Sequence, residues 1–189
     1  MLISNPRPML VMLALLCSAP LPVIAETEGF TYACPSGMCF WRRPIVDPPP
    51  GWMRDDEAGR ELRFNAFARK GEDFTKANAV LYANAQYRKN APPTLAGQIA
   101  ADRERILKDD PKAKIVATKS VQNADAKRLA TYAFIPSGKD DSWETVTYDE
   151  EGDYYLRFVL SAQTKEAHDK ALPDFIAFVR GYSKTPKKP

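Results

Sequence analysis

Residues 143–160 (WETVTYDEEGDYYLRFVL) decide the fold of this chain. Apolar and polar side chains alternate over 143–148 and again over 154–160, which is the pattern of strands that present two unlike faces. The link between them, residues 149–153, is short and polar and carries Gly152. Links of this kind join neighbouring strands as antiparallel hairpins. The stretch therefore predicts a hairpin, and the rest of the chain is interpreted outward from it.

The segments on either side of this hairpin extend the pattern. Alternating runs at 115–121 and 128–135 come before it and complete a predicted four-strand meander. After it, apolar residues at positions i, i+3, i+4 and i+7 predict a helix over 165–182. These apolar residues are Leu172, Phe175, Ile176 and Val179. Pro173 is expected to kink this helix or to begin its second half.

The first half of the chain adds three predicted strands and one predicted helix. The strands are expected at 40–46, 61–69 and 79–88. Thr94 is a suitable N-cap for the helix, and Pro111 ends it. The charged residues of this helix are expected to face water; they are Asp102, Arg103, Glu104, Arg105 and Lys108.

This order of elements indicates an α+β fold with a mainly antiparallel sheet of about six or seven strands packed by two helices. The opening strand, the Pro49-Pro50-Gly51-Trp52 step, two strands, a helix, four strands and a closing helix resemble the PsbP/Mog1-type α/β/α sandwich. The resemblance covers residues 40–182 and implies a non-enzymatic role in binding or assembly. It implies no catalytic residues, because that family offers no active site to carry over.

Residues 1–25 have a composition of their own. Arg7 is their only charged residue, residues 9–17 form an unbroken apolar run, and Val23 and Ala25 place small residues at the exit. This order is typical of a cleavable signal peptide, and the apolar run is too short to cross a bilayer as a helix. We therefore expect export to the periplasm, with no transmembrane segment in the mature chain.

Cleavage before Glu26 would leave one globular domain over residues 26–183. Its first part, residues 26–55, is rich in proline, glycine and aromatic residues and is predicted to be an irregular lead-in closed by a disulfide. Residues 184–189 are basic and proline-containing, and we expect them to form a disordered tail.

The disulfide prediction follows from the cysteines that remain after export. Cys17 lies in the predicted signal peptide, which leaves Cys34 and Cys39 on either side of a Pro-Ser-Gly turn. In an oxidising compartment such a pair is expected to be bonded. A redox motif would have a two-residue spacer, and a zinc site would need two further ligands, so both alternatives are disfavoured.

A binding surface is predicted in residues 34–54. Tryptophan and arginine are the residue types that dominate binding hot spots, and a stapled, proline-stiffened segment loses little entropy on binding. The candidate binding residues are Trp41, Arg42, Arg43, Trp52 and Arg54. The alternative is that Trp52 and either Phe40 or Trp41 complete an edge of the core.

Composition argues against several function classes. The chain has 189 residues with 27 Lys+Arg and 24 Asp+Glu, and a net charge of +3 gives no case for nucleic acid. His168 is the only histidine, and its position on the closing helix predicts a packed side chain. We expect no metal and no cofactor. The carboxylates of 140–153 fall in two turns at opposite ends of a strand and are expected to be solvated, with a weak cation site in one turn as the alternative.

These observations together predict an exported, non-catalytic binding or accessory protein of the periplasm. Its partner would be a protein or another component of the cell envelope. One alternative is an inhibitor or immunity-type protein that blocks a hydrolase, with the disulfide loop as a wedge. A second alternative is an enzyme whose hydrolytic site is cryptic in the sequence.

Overall fold

The computed structural model describes residues 27–34, 37–138 and 142–184 of the chain. Its strands are β1 (Thr27–Cys34), β2 (Gly37–Pro44), β3 (Trp52–Arg54), β4 (Asn65–Arg69), β5 (Ala79–Tyr87), β6 (Lys114–Ala117), β7 (Val121–Gln122), β8 (Arg128–Ile135), β9 (Trp143–Glu151) and β10 (Tyr154–Ala162). Its α-helices are α1 (Asp56–Leu62), α2 (Leu95–Asp109) and α3 (Lys165–Gly181). A short 3-10 turn at Arg88–Asn90 follows β5.

The strands form one twisted antiparallel sheet in the order β1-β2-β5-β10-β9-β8-β6. The short strands lie off this path: β3 pairs with β4, β4 also pairs with β5, and β7 pairs with β8. β9 and β10 pair along their whole lengths, as the sequence of the hairpin predicts. Trp143 lies opposite Ala162 at one end of the ladder, and Glu151 lies opposite Tyr154 at the other. The α+β class, the meander and the seven main strands are thus confirmed.

The helices cover both faces of the sheet. α3 packs on one face over the largest part of the core, whose fully buried side chains include Phe67, Leu81, Leu156, Phe158, Leu160, Phe175 and Phe178. α1 and α2 lie on the opposite face over two smaller apolar clusters. The arrangement is therefore the expected α/β/α sandwich, with three helices where two were predicted.

The additional helix replaces the beginning of a predicted strand. Alternation over 61–69 predicted one strand there, but α1 occupies its first residues and β4 begins only at Asn65. The side chain of Asp55 accepts a hydrogen bond from the Ala58 amide and caps α1. Arg63 adopts a left-handed conformation with φ 63° and ends it. Local capping therefore overrides the alternating pattern.

The predicted irregular lead-in is also wrong in its secondary structure. β1 and β2 form a regular hairpin, with Thr27 opposite Pro44 and Phe30 opposite Trp41. Aromatic and threonine residues favour strands, and apart from Gly29 the glycines and prolines fall at its ends or in the chain that follows. That following chain turns at Pro49–Gly51, where the Trp52 amide donates to the Pro49 carbonyl.

The two long helices begin where the sequence predicts. Thr94 caps α2 by accepting a hydrogen bond of 3.1 Å from the Gly97 amide, and Thr164 caps α3 in the same way. Pro173 does not divide α3, which continues unbroken to Gly181. Pro173 lies on the exposed side of α3, where a missing amide hydrogen bond is least costly.

Several predictions fall on parts of the chain outside the described residues. They are the signal peptide over 1–25, residues 185–189 of the predicted tail, and the acidic residues Asp140 and Asp141, whereas Lys184 at the start of that tail is described and pairs with Asp149. The side chains of Cys34 and Cys39 also lie outside the description, so their disulfide stays a prediction. No helix within residues 27–34, 37–138 and 142–184 is long and apolar enough to cross a bilayer.

Candidate functional site

The face of the sheet beneath α1 and α2 is incompletely filled. A cleft of about 400 Å³ lies between α2 and the chain that leaves α1, and strands β5, β9 and β10 form its floor. Its apolar lining is Leu62, Phe64, Ile106, Val146 and Val159, and its polar lining is Tyr82, Asn84, Asp102, Arg105, Glu144, Tyr148 and Arg157. The volume of this cleft lies within the range of small-molecule sites, and its lining is more polar than that of most of them.

One wall of the cleft is a satisfied ion-pair network. The Arg157 guanidinium donates through Nη1 to Asp102, 3.2 Å from Oδ1, and through Nε to the Asn84 side chain. Gln98 donates to the same Asp102 oxygen from the preceding turn of α2. Asp102 is only 6% exposed, so the prediction that it faces water is wrong. Asp102 faces the sheet because its carboxylate pairs there with Arg157 of β10.

Two tyrosines place their phenols in the cleft. Burial raises the pKa of Tyr82 and of Tyr148 far above the usual value for tyrosine. Both therefore remain protonated at neutral pH and act as hydrogen-bond donors. The Tyr82 ring stacks on Phe64 with centroids 4.7 Å apart, which fixes its position at the end of α1. The phenols add polarity to the cleft without adding charge.

Glu144 is a carboxyl group of the cleft whose pKa is shifted by its surroundings. Burial raises the pKa of its carboxyl group, although a hydrogen bond from Ser161 and the nearby Arg105 and Arg157 act in the opposite direction. A second cavity of about 330 Å³ adjoins the cleft, and Glu144 and Arg105 line both. Within the described part of the chain, neither residue has an ion-pair partner. The two cavities therefore meet between two unpaired side chains of opposite charge.

The predicted binding residues do not form one exposed surface. Trp52 is 4% exposed and lies in the core, where its indole donates to Asp174 over 3.0 Å. Arg43 is also buried, forms an ion pair with Glu28 and lies over the Phe30 ring. These two side chains therefore stabilise the fold. For Trp52 this agrees with the alternative prediction that it completes an edge of the core.

The remaining predicted residues lie nearer the surface. Arg54 donates to the Val46 carbonyl over 3.0 Å and lies over the Phe67 ring. Trp41 is half-buried and stacks on Phe30, with ring centroids 4.7 Å apart. Arg42 has different neighbours, because successive side chains of a strand point to opposite faces and Arg42 lies on the face of β2 opposite to Trp41.

That other side of the hairpin is apolar and open. Met38 is 71% exposed and Phe40 is 54% exposed, and both share their side of β2 with Arg42. The Arg42 guanidinium lies over the rings of Phe40 and Tyr154 and donates to Thr27 over 2.9 Å. The Phe40 ring rests directly on Gly29, where a Cβ atom would lie 2.4 Å from it. We call Met38, Phe40, Arg42 and Tyr154 the hairpin face.

His168 is packed, as predicted. Its Nε2 shares a hydrogen bond of 2.9 Å with the Thr145 hydroxyl, and its Nδ1 lies 3.3 Å from Asp169. It borders an apolar cavity of about 280 Å³ between α3 and the sheet. The Thr145 hydroxyl, the His168 ring and the Asp169 carboxylate therefore follow one another in the order of nucleophile, base and orienting acid, but Thr145 is only 3% exposed and His168 only 7% exposed.

The acidic turn between β9 and β10 is not simply solvated. Asp149 is fully buried, with its carboxylate 2.6 Å from the Lys127 ammonium and 3.1 Å from that of Lys184. Glu151 is buried as well and accepts a hydrogen bond from the Tyr182 hydroxyl. The expectation of free turn carboxylates is therefore wrong for these two, because lysines and a tyrosine from other elements reach them. Within the described residues, no group of three or more His, Cys, Asp or Glu side chains is arranged to hold a metal ion.

Comparison with solved structures finds a protein of similar fold. The chain is similar to the solution structure of cyanobacterial PsbP (CyanoP) from Synechocystis sp. PCC 6803, with a TM-score of 0.42 and 14% identity. The match covers 89% of this chain and 98% of that chain. Its name carries the same family term, PsbP, as the resemblance drawn from the order of elements. No protein-family model matches the chain, and neither does any curated protein.

Sequence reasoning missed the cleft altogether. Its signal was present in β9 and β10, where Glu144 and Arg157 occupy positions flanked by strand-forming residues. In the sequence, both charged residues were compatible with positions on a face of the sheet that is exposed to solvent. Only the placement of α2 over that side shows that the two side chains are covered.

Proposed function

We propose that this chain is an exported, non-catalytic binding protein of the periplasm that contacts a protein partner through the hairpin face. The observation that carries the proposal is the exposure of Met38 and Phe40 on one side of a strand. Methionine, aromatic residues and arginine are enriched in protein interfaces, and all three types occur here. Export is supported by the composition of residues 1–25.

The hairpin face is also preorganised for contact. Arg42 is held by Thr27 and by two aromatic rings, so its guanidinium loses little freedom when a partner binds. Phe40 is supported from below by Gly29, which leaves the other side of its ring open. The main contacts of α3 are with β5, β7, β9 and β10, and Met38 and Phe40 remain exposed. The side chains of Phe40 and Arg42 are therefore held in place within the hairpin and remain accessible.

Site-specific photo-crosslinking in intact cells tests this function. A photoreactive phenylalanine analogue is placed at Phe40 in one variant and at Val116 in a control variant. Val116 has similar exposure, 47%, but lies on β6 at the opposite edge of the sheet. We expect one discrete adduct from position 40 and none from position 116. Equal labelling from both positions, or none from position 40, contradicts the proposal.

Binding to the purified partner gives the size of the effect. Replacing Met38 and Phe40 by Ser and Ala should weaken the complex by about 2 kcal/mol, roughly thirtyfold, if they are hot-spot residues. The Val116→Ala protein should bind as the parent does. A partner that proves to be a hydrolase inhibited in the complex would turn the function toward the inhibitor alternative. Unchanged binding by the double variant would place the interface elsewhere.

The mass of the exported protein tests the location. Intact mass spectrometry of the periplasmic fraction should give a chain that begins at Glu26. A protein that retains residues 1–25, or one found only in the cytoplasm, would contradict export.

A further inference from the structure

The cleft beneath α2 has features of a ligand site that the hairpin face does not explain. Two cavities of about 400 Å³ and 330 Å³ meet there, and Tyr82, Arg105, Ile106 and Glu144 line both. Other charged side chains around the larger cavity are already paired, since Arg157 and Asp102 neutralise each other. The unpaired charges are concentrated at the junction.

The junction combines one carboxyl group and one guanidinium group that belong to different elements of the fold. Glu144 belongs to the floor, on β9, and Arg105 belongs to the wall, on α2. Within the described residues, Glu144 has a hydrogen bond from Ser161 but no ion pair, and Arg105 has no ion pair either. Glu144 is half-buried, and the guanidinium groups of Arg105 and Arg157 offset its desolvation only in part, so a ligand that brings an ammonium group to it stabilises the carboxylate.

The second cavity supplies an apolar compartment beside these charges. Ile106, Phe134, Ile135 and Pro136 line it together with Asp109 and Asp110. Asp110 is occupied by hydrogen bonds from the Ser137 amide and hydroxyl, at 2.7 and 2.6 Å. A small ligand can therefore place an apolar group here while its charged groups remain at the junction.

We propose that this junction binds a small zwitterion with an apolar side chain, of the class of free amino acids such as leucine or phenylalanine. Glu144 accepts hydrogen bonds from the ammonium group, and Arg105 donates to the carboxylate. The Tyr82 phenol, also at the junction, is a further donor for the carboxylate. This site is separate from the hairpin face, so either proposal stands if the other fails.

Calorimetry with three matched probes tests the charge requirement on the purified protein. The probes are L-phenylalanine, 3-phenylpropanoate, which lacks the ammonium group, and 2-phenylethylamine, which lacks the carboxylate. L-Phenylalanine should bind at one site, at least about tenfold more tightly than either analogue, because each analogue leaves one charged side chain unpaired. Equal affinity for an analogue overturns the proposal. So does the absence of saturable binding up to about 10 mM, well above the dissociation constant of about 1 mM of a weak site.

Three variants assign the effect to the two side chains. Glu144→Gln and Arg105→Gln should each weaken L-phenylalanine binding by at least about tenfold. Arg103→Gln is the matched control, because Arg103 lies on the same helix over the Tyr132 ring and lines neither cavity. Arg105 is exposed, so its variant keeps the fold even if Glu144→Gln does not. Parent-like binding by Arg105→Gln, or equal loss in Arg103→Gln, overturns the assignment.

Discussion

The two sides of β10 are built from the same nine residues and serve different purposes. On the α3 side, Leu156, Phe158 and Leu160 are fully buried in a continuous apolar core. On the α2 side, Arg157 and Val159 line an open cleft. A strand in the middle of a sheet can therefore concentrate its stabilising contacts on one face, which leaves the other face free to carry polar groups.

The largest expected effect is on the α3 side. Phe158→Ala should lower the free energy of unfolding by about 3–5 kcal/mol, because the ring is fully buried among Phe178 and Tyr182. Val159→Ala, one residue further on, should cost only about 1–2 kcal/mol, since fewer methyl groups are lost beside an existing cleft. Urea unfolding measures both. Equal losses would show that the two sides are packed alike.

Two carboxyl groups near the β9–β10 turn, the buried Asp149 on β9 and the exposed Asp153, give a second contrast. Asp149→Ala should destabilise the protein by about 2 kcal/mol, because it removes the buried anion that Lys127 and Lys184 share. The cost is moderate because both lysines retain contact with water. Asp153→Ala in the same turn is the control and should change stability by less than about 0.5 kcal/mol. A parent-like melting temperature for Asp149→Ala would show that the buried pair contributes nothing net.

Loss of a helix cap should lower stability by the same amount on the two sides of the sheet. Thr94→Ala and Thr164→Ala each remove a hydroxyl that accepts a first-turn amide hydrogen bond, in α2 and α3 respectively. Each should cost about 1 kcal/mol, because capping depends on the helix end and not on what the helix covers. Thermal unfolding of the two variants checks this. A loss confined to Thr164→Ala would mean that α2 contributes little to global stability.

The smallest effect is a gain, on the α2 side. Burial raises the pKa of Glu144 above its usual 4.5, so the folded protein holds this proton more tightly than the unfolded chain does. Stability from this group is therefore fully present below pH 4.5 and is lost as the pH rises through the folded pKa. Glu144→Gln should melt slightly higher than the parent at pH 7 and no higher at pH 4.

The control for this pH dependence is Glu104→Gln, an exposed position on α2. It should melt as the parent does at both pH values. A Glu144→Gln protein that is less stable at pH 7 than at pH 4, relative to the parent, would reverse the sign expected from burial.

The sequence predicts those parts of the fold whose signals are local. The β9–β10 hairpin follows from alternation and a polar turn, and Thr94 and Pro111 bound α2 almost to the residue. α1 was missed because a seven-residue helix has too few turns to show a periodicity against the alternating residues beside it. The burial of Asp102, Asp149 and Glu144 was missed for another reason. Their partners lie 55, 22 and 17 positions away in Arg157, Lys127 and Ser161, and no local pattern brings such residues together.

The candidate site was predicted only in part, for the same reason. Trp52 and Arg43 have the composition of hot-spot residues, but composition does not say on which side of a strand a residue lies. In β2 the exposed aromatic residue is Phe40, and the neighbouring Trp41 turns toward Phe30. A shift of one position exchanges the two sides of a strand, so the predicted residues include the buried Arg43 and omit the exposed Met38 and Phe40, and binding by this segment stays a prediction.

The attachment of the β1–β2 hairpin has a consequence for motion. The hairpin has a ladder of eight residue pairs of its own, but β2 joins β5 in register at one pair, Arg42 with Ala85. β10, by contrast, is paired along nine residues on both sides. In amide hydrogen exchange, the hairpin should therefore open as a separate unit at a lower free energy than the central strands. A partner that binds the hairpin would suppress that opening. Its binding would therefore slow amide exchange in residues 27–44 and leave the exchange rates of the central strands unchanged.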